Sequence, residues 1–173
     1  MKFTTAAACA VACSMLMGCV AMTGSEEKSR ELHEQVQAKL TAERQEDQLA
    51  RAAKLHEMIR QTRKDNGRSP CLQSFAEGQE VARMRAKELT EWYSKYRPHG
   101  KGWYYTLTDE LKGKVGIRKE LRARNTSSPE RVLKEWMRDK EAREVLLDRN
   151  MVRFGVGAYQ SSSGTWFWTF EKY

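Results

Sequence analysis

The hydrophobic and polar positions divide the chain into a short apolar start, a long polar segment and a mixed body. Residues 6–17 are mostly apolar, whereas residues 26–66 contain no Pro or Gly and are rich in Glu, Gln, Lys, Arg and Ala. Leu32, Val36 and Leu40 recur at every fourth position of the polar segment. This spacing predicts a helix whose apolar face is narrow.

The body alternates helical patterns with a hairpin pattern. Its apolar spacing predicts a second helix over residues 75–96 and an irregular, Gly- and aromatic-rich loop over residues 97–117. A Ser-Pro-Glu start predicts a third helix over residues 129–147. Residues 151–159 and 165–170 flank a Ser-Gly turn, which predicts a hairpin. Both hairpin faces carry apolar side chains, as expected for a sheet between helical layers.

The N-terminus has the layout of an export signal. Lys2 precedes the apolar run, which is too short to span a bilayer and ends at Leu-Met-Gly-Cys19. This ending resembles the lipobox of bacterial lipoproteins, which implies cleavage before Cys19 and its modification with acyl chains such as palmitate. Val20 follows in place of Asp, which implies delivery to the outer membrane in a Gram-negative cell. The alternative is an ordinary signal cleaved near Gly18 or Ala21, which would release a secreted protein.

The remaining chain has one predicted domain behind an acidic stem. The predicted organisation is a signal peptide over 1–18, a helical stem over 19–52 and a folded domain over 53–173. Once the signal is removed and Cys19 is lipidated, Cys71 is left without a disulfide partner, and we expect it to be a buried, unreactive thiol. Outside the N-terminus no run of about 18 apolar residues occurs, which argues against an integral membrane protein.

The net charge of +8 is unevenly distributed. Residues 19–50 hold 4 basic and 7 acidic residues, whereas residues 51–153 hold 25 basic and 15 acidic ones. An exported protein with such a basic body, and without a base-reading or stacking motif, favours anionic envelope surfaces over nucleic acid.

Four stretches of the body, taken in order, resemble the CAP superfamily (SCP-like domains of cysteine-rich secretory proteins, antigen 5 and pathogenesis-related proteins). The first two are the Asn66-Gly67-Arg68-Ser69-Pro70 turn with the helix before it, and the Ser128-Pro129-Glu130 helix with Trp136-Met137. The third is residues 142–150, similar to the family's His-Arg-x-Asn stretch, and the fourth comprises the Gly155-Val156-Gly157 and Trp166-Phe167-Trp168 strands. The resemblance implies an α+β fold: a three-layer α/β/α sandwich, here behind a helical stem.

The same resemblance implies a cleft whose family members carry two His and two acidic residues. Here it points to His99, Glu120 and Asp139, while Ala142 occupies the second His position of bacterial members. His99 and Glu120 would be the ligands of a divalent metal such as zinc, held weakly because the set is incomplete. The alternatives are a loop role for His99, an ion pair for Glu120 and a solvated position for Asp139. The predicted basic rim is Arg118, Lys119, Arg122 and Arg124.

These observations favour a noncatalytic binding module over an enzyme, without excluding an enzyme. The expected role is a membrane-anchored, exported CAP domain that engages an envelope polymer, lipid or protein partner through a basic-rimmed cleft. The alternative is a metal-dependent hydrolase acting on peptide or peptidoglycan, which would need a metal-bound water or an activated nucleophile. No catalytic residue is assigned.

Overall fold

The computed structural model describes residues 24–71, 75–97 and 116–173, with side chains from residue 26 onward. These ranges contain four helices and three strands. In chain order they are α1 (Gly24–Asp65), α2 (Ala76–Glu88), β1 (Lys119–Arg124), α3 (Pro129–Arg138), α4 (Lys140–Leu146), β2 (Phe154–Gln160) and β3 (Trp166–Lys172). Cys19 and His99 lie outside the described residues.

The chain divides into two compact units, residues 1–38 and residues 39–173. The described part of the first unit is helical, and its side chains over residues 26–38 are exposed. In the second unit, α1 has its first buried side chain at Gln48, and Leu55 and Ile59 are fully buried. The helix predicted for the polar segment is therefore confirmed, whereas the boundary predicted after residue 52 stays a prediction.

The three strands form an antiparallel sheet with β3 in the centre, in the order β1-β3-β2. Ala123 and Ala158 both lie opposite Trp168, one on each neighbouring strand. The predicted hairpin is the β2–β3 pair, and Gly164 in its turn has a φ of +83°. A positive φ carries little cost in glycine because it lacks a Cβ atom.

Helices cover both faces of this sheet. Trp166, Trp168 and Phe170 belong to one core with side chains of α1, α3 and α4, including Leu55, Val132 and Leu146. On the other face, Thr169 Oγ1 donates to the Ala82 carbonyl of α2 (2.7 Å), and the Tyr173 hydroxyl donates to the Gly78 carbonyl (2.8 Å). The three-layer α+β architecture is thus confirmed.

Helix α2 lies unusually close to β2 because two strand residues have no side chain. A Cβ atom on Gly157 would lie 2.1 Å from the Ala82 carbonyl oxygen, and one on Gly155 would lie 2.2 Å from that of Gly78. Both distances are far below van der Waals contact. The Gly-Val-Gly strand therefore sets the spacing between these two layers.

Two predicted helices are shorter than expected. The second ends at Glu88 and not at residue 96, because Thr90 and Glu91 donate to carbonyls three residues earlier and turn the chain. The predicted third helix is two helices. Asp139 breaks it with an extended backbone, and its Oδ1 accepts from Ala142 N (2.7 Å) as the N-cap of α4.

Strand β1 is an element that the sequence did not predict. Four of its six residues are charged, so the alternation of a half-buried strand was not recognised in it. The helix start at Ser128 is confirmed, since its Oγ accepts from Arg131 N (3.2 Å) and Pro129 follows at the first helical position.

We expect Gly157→Ala to lower the free energy of unfolding by about 1–3 kcal/mol or more, because the new methyl group would overlap the α2 backbone. Urea denaturation followed by circular dichroism measures this loss. Gly116→Ala is the matched control, since a Cβ atom there meets nothing within 4 Å. Equal stability of the two variants would contradict the close approach of α2 to β2.

Candidate functional site

The structure brings two of the three predicted cleft residues together. Glu120 on β1 and Asp139 between α3 and α4 line one cavity of about 540 Å³. The cavity, called the cleft below, lies between β1, the α3–α4 wall and Tyr93, a residue of the segment that follows α2. Its volume is within the usual range of ligand sites.

Only half of the predicted basic rim reaches the cleft. Arg122 and Arg124 line it, whereas Lys119 lines a neighbouring cavity of about 470 Å³ that shares Glu120 with the cleft. Arg118 is exposed and lines neither cavity.

The wall of the cleft opposite these arginines is acidic. Glu135, Asp139 and Glu141 face the cleft from α3, the α3–α4 junction and α4. The two arginines stand on the β1 side, where the Arg124 guanidinium lies over the Tyr93 ring, 4.5 Å from its centroid. With Glu120 included, the lining has four acidic and two basic side chains. The cleft therefore has one basic and one acidic wall.

A buried arginine holds the Glu120 carboxylate. Arg85 of α2 is 0% exposed, and its Nε and Nη2 donate to the two carboxylate oxygens of Glu120 at 2.8 and 3.2 Å. Arg85 Nη2 also donates to the Ser94 carbonyl (2.6 Å), and its Nη1 donates to Glu88 (3.1 Å). Bidentate arginine–carboxylate bonds are among the stronger hydrogen bonds of proteins, so Glu120 is fixed in position.

The ion pair belongs to a larger buried charge cluster. Arg97 bonds to Glu88, and Glu171 of β3 lies directly opposite Glu120 in the β1–β3 register. Glu171 is fully buried, and neither of its oxygens accepts a hydrogen bond from a described donor. Arg122 of β1 joins it, since its Nη1 lies 3.5 Å from Glu120 Oε1. This cluster comprises three arginines and three glutamates: Arg85, Arg97, Arg122, Glu88, Glu120 and Glu171.

Burial favours the neutral acid form of Glu171. It raises the pKa of Glu171 well above the usual glutamate value, and the charge of Glu120 raises it further against opposing effects of Arg97 and Arg85. An isolated buried charge would be far more costly than a neutral acid.

The described residues do not fit a zinc ion. Both Glu120 oxygens accept hydrogen bonds from Arg85. Ala142, which is buried and lines the cleft, has no side-chain atom that could bind a metal. Among the described side chains, no group of three His, Cys, Asp or Glu residues is placed to hold a metal. The predicted ligand His99 lies outside the described residues.

Cys71 matches the prediction of a buried, unreactive thiol. It is 5% exposed, and its Sγ donates to the Met151 carbonyl (3.2 Å). Burial raises the pKa of the thiol against the opposing effect of Arg63, which disfavours the reactive thiolate at neutral pH.

Arg85 and Glu171, the two residues that define the surroundings of Glu120, are not among the site residues predicted from the sequence. Both carry a signal in hindsight. Arg85 follows Val81 by one helical turn and precedes Leu89 by another, so it lies on an apolar helix face. Glu171 lies two residues after the buried Thr169 on β3, so the two side chains share one strand face, and its neighbour Phe170 is buried on the other. A charged residue at a buried position predicts a partner, although not its identity.

A family model agrees with this architecture. The model described as "CAP: Cysteine-rich secretory protein family" matches residues 56–171, more than half of the chain. The chain belongs to the CAP family. No curated protein sequence matches it.

Two solved structures share the CAP fold. An outer surface protein from Borrelia burgdorferi matches with a TM-score of 0.54 and 17% identity, over 69% of this chain and 90% of that one. An extracellular protein containing an SCP domain from Bacillus anthracis matches with a TM-score of 0.54 and 18% identity, over 73% of this chain and 41% of that one. At these identities the similarity establishes the fold alone. Among the described residues, no helix is long and apolar enough to cross a membrane.

We expect the stability of the protein to depend on the proton of Glu171. The folded protein keeps this proton above pH 4.3, the approximate unfolded pKa, so stability falls as pH rises toward the folded pKa, by about 1.4 kcal/mol per pH unit. The neutral amide of Glu171→Gln removes this loss. The variant should gain stability over the native protein as the pH rises above about 4.3, and the gain should vanish near pH 4.

Urea denaturation across this pH range measures the difference between native protein and variant, which cancels the contributions of other groups. Glu46→Gln, at an exposed position of α1, is the control and should show no such trend. A stability difference that does not change with pH would show that Glu171 is not a neutral acid.

Proposed function

We propose that this CAP domain is a noncatalytic binding module, exported and anchored to a membrane of the cell envelope, which engages an envelope component through the cleft. The observation that carries the proposal is the bidentate bond from buried Arg85 to Glu120. A carboxylate held in this way is a fixed element of a binding wall. Preorganised charges of this kind bind a complementary ligand without the cost of ordering them first.

The charges of the cleft define the class of component. A purely anionic polymer would meet Arg122 and Arg124 but would be repelled by the acidic wall of Glu135, Asp139 and Glu141. A component that carries both charges, such as a protein segment, a zwitterionic lipid headgroup or a polymer with amino and carboxyl groups, satisfies both walls.

The hydrolase alternative is less well supported by this geometry. It would require a carboxylate free to bind a metal or to accept a proton, and both oxygens of Glu120 are committed to Arg85.

Export and anchoring rest on the N-terminal sequence. The apolar run that ends at Cys19 has the layout of a lipoprotein signal. Two proteins of the same fold are described as an outer surface protein and an extracellular protein, which supports export.

We expect the protein purified from its envelope to carry a bound nonmetal component that native mass spectrometry detects. Glu141→Arg reverses one exposed charge of the acidic wall and should lower the occupancy about tenfold, through repulsion in place of attraction. Glu46→Arg on α1 makes the same change away from the cleft and should leave the occupancy unchanged. Stoichiometric zinc together with peptidase turnover would overturn the proposal.

We expect Cys19→Ser to release the protein from the membrane fraction, because a hydroxyl in place of the thiol cannot receive the thioether-linked lipid. Cell fractionation and intact-mass measurement of the N-terminus test this. Cys71→Ser is the control and should remain membrane-bound. Native protein that washes off the membrane without detergent would contradict lipid anchoring and favour the secreted alternative.

A further inference from the structure

We propose that the cleft binds an extended peptide segment that pairs with the outer edge of β1 and carries alternating acidic and basic side chains. The inference rests on the proposed function and names the chemical class of the bound component. Its basis is the position of β1 in the sheet, the direction of its backbone groups and the charges on the two walls.

The hydrogen-bond register determines which backbone groups of β1 face outward. Asn125 lies opposite Trp166 in the register and donates to its carbonyl (3.0 Å), so the alternation of an antiparallel pair assigns Ala123 and Leu121 to the ladder with β3. The backbone groups of the even-numbered residues, Glu120, Arg122 and Arg124, then point away from β3.

An independent contact confirms that this outer edge faces the cleft. Trp136 Nε1, from α3, donates to the Arg122 carbonyl (3.2 Å), and all five residues 120–124 line the cleft. The Arg122 carbonyl thus already has one partner, whereas its N–H and the outward groups of Glu120 and Arg124 have none among the described residues. Among the described strands, β1 is the outermost on its side of the sheet, and none of them pairs with its outer edge. An edge of this kind can accept an extended chain as an additional strand.

The walls of the cleft match the two faces of such a strand. Arg122 and Arg124 are two residues apart on β1, about 7 Å in a strand, and their side chains share the face that carries Thr169. The acidic wall of Glu135, Asp139 and Glu141 lies on the side of α3 and α4. Because strand side chains alternate between faces, a peptide that alternates Glu and Lys would place its acids at the arginines and its amines at the acidic wall.

The alternating charge distinguishes this ligand from a lipid headgroup, which would satisfy both walls with one pair of charges. A headgroup would also leave the outward backbone groups of Glu120 and Arg124 without a hydrogen-bond partner. The observations therefore favour a polypeptide. The decisive measurement is the change in peptide affinity when its backbone hydrogen bonds are removed.

The probe is a fluorescent peptide of four Glu-Lys repeats, titrated into the full chain in detergent and followed by anisotropy. One analogue is N-methylated at every Glu and a second at every Lys. In an antiparallel pair the residue opposite Arg124 exchanges both backbone bonds with it, and the residue opposite Arg122 accepts from the Arg122 N–H; both are Glu residues. The Glu-methylated analogue should therefore bind at least about tenfold more weakly than the Lys-methylated one. Equal affinities of the two analogues would overturn the proposal.

A pair of protein variants tests the same bonds from the other side. Arg122→Ala and Arg122→Pro remove the same charge, but only the proline also removes the outward N–H, which takes no part in the ladder with β3. We expect Arg122→Pro to bind the probe about fivefold or more below Arg122→Ala. Equal binding by the two variants, with both folded by circular dichroism, would contradict edge pairing.

Failure of this inference is distinguishable from failure of the proposed function. If the probe does not bind while the component found by native mass spectrometry still depends on Glu141, the peptide is wrong and the binding module stands. If neither is observed, both are wrong.

Discussion

The Arg85 guanidinium connects most of the parts on which the cleft depends. It is fully buried, and its donors reach Glu120 on β1, Glu88 on its own helix and the Ser94 carbonyl beyond α2. One side chain therefore joins α2, the edge strand and the segment that carries Tyr93. Removing one partner of a buried ion pair typically costs about 3–5 kcal/mol, because the other charge is left without compensation. The cluster thus pairs α2 and the segment that follows it with β1, where Glu120 is 35 residues from Arg85 in sequence.

This pairing also determines the chemistry of the site. A glutamate at the position of Glu120 would be a metal ligand or a general base if its oxygens were free. Held by Arg85 and placed opposite Glu171, whose pKa is raised by burial, it becomes a fixed part of a wall. The Glu120 oxygens are therefore occupied by hydrogen bonds from Arg85, and the side chain is held in one position before a ligand binds. A bipolar cleft beside a strand edge is consistent with recognition, and its two walls impose opposite requirements on the two faces of a ligand.

A second buried arginine explains one of the motifs that carried the family resemblance. Arg63, near the end of α1, is 0% exposed and donates only to carbonyl groups, among them those of Ser69, Leu146 and Asp148. Leu146 is the last residue of α4 and Asp148 follows it by two residues, at a helix end where unpaired carbonyls and the helix dipole favour a cation. Arg68 donates to the Leu147 carbonyl in the same region (2.9 Å). These arginines thus join the end of α1 and the following turn to the end of α4, which places α4 against the core.

Elements with local signals are predictable from the amino-acid sequence. The polar helix, the Ser128 cap with Pro129, the Gly164 turn and the two-sided apolar hairpin each follow from residues a few positions apart, and together with the family motifs they predict the α+β sandwich. The helix boundaries and charge partners that depend on distant residues emerge only in the folded chain. Helix α2 ends where residues 94–97 return to Arg85 and Glu88, β1 becomes a strand only beside β3, and the basic run around Glu120 acquires an acidic wall from α3 and α4. The physical reason is that caps and turns are satisfied within one or two helical turns of chain, whereas a buried charge is satisfied by whichever group the fold brings to it.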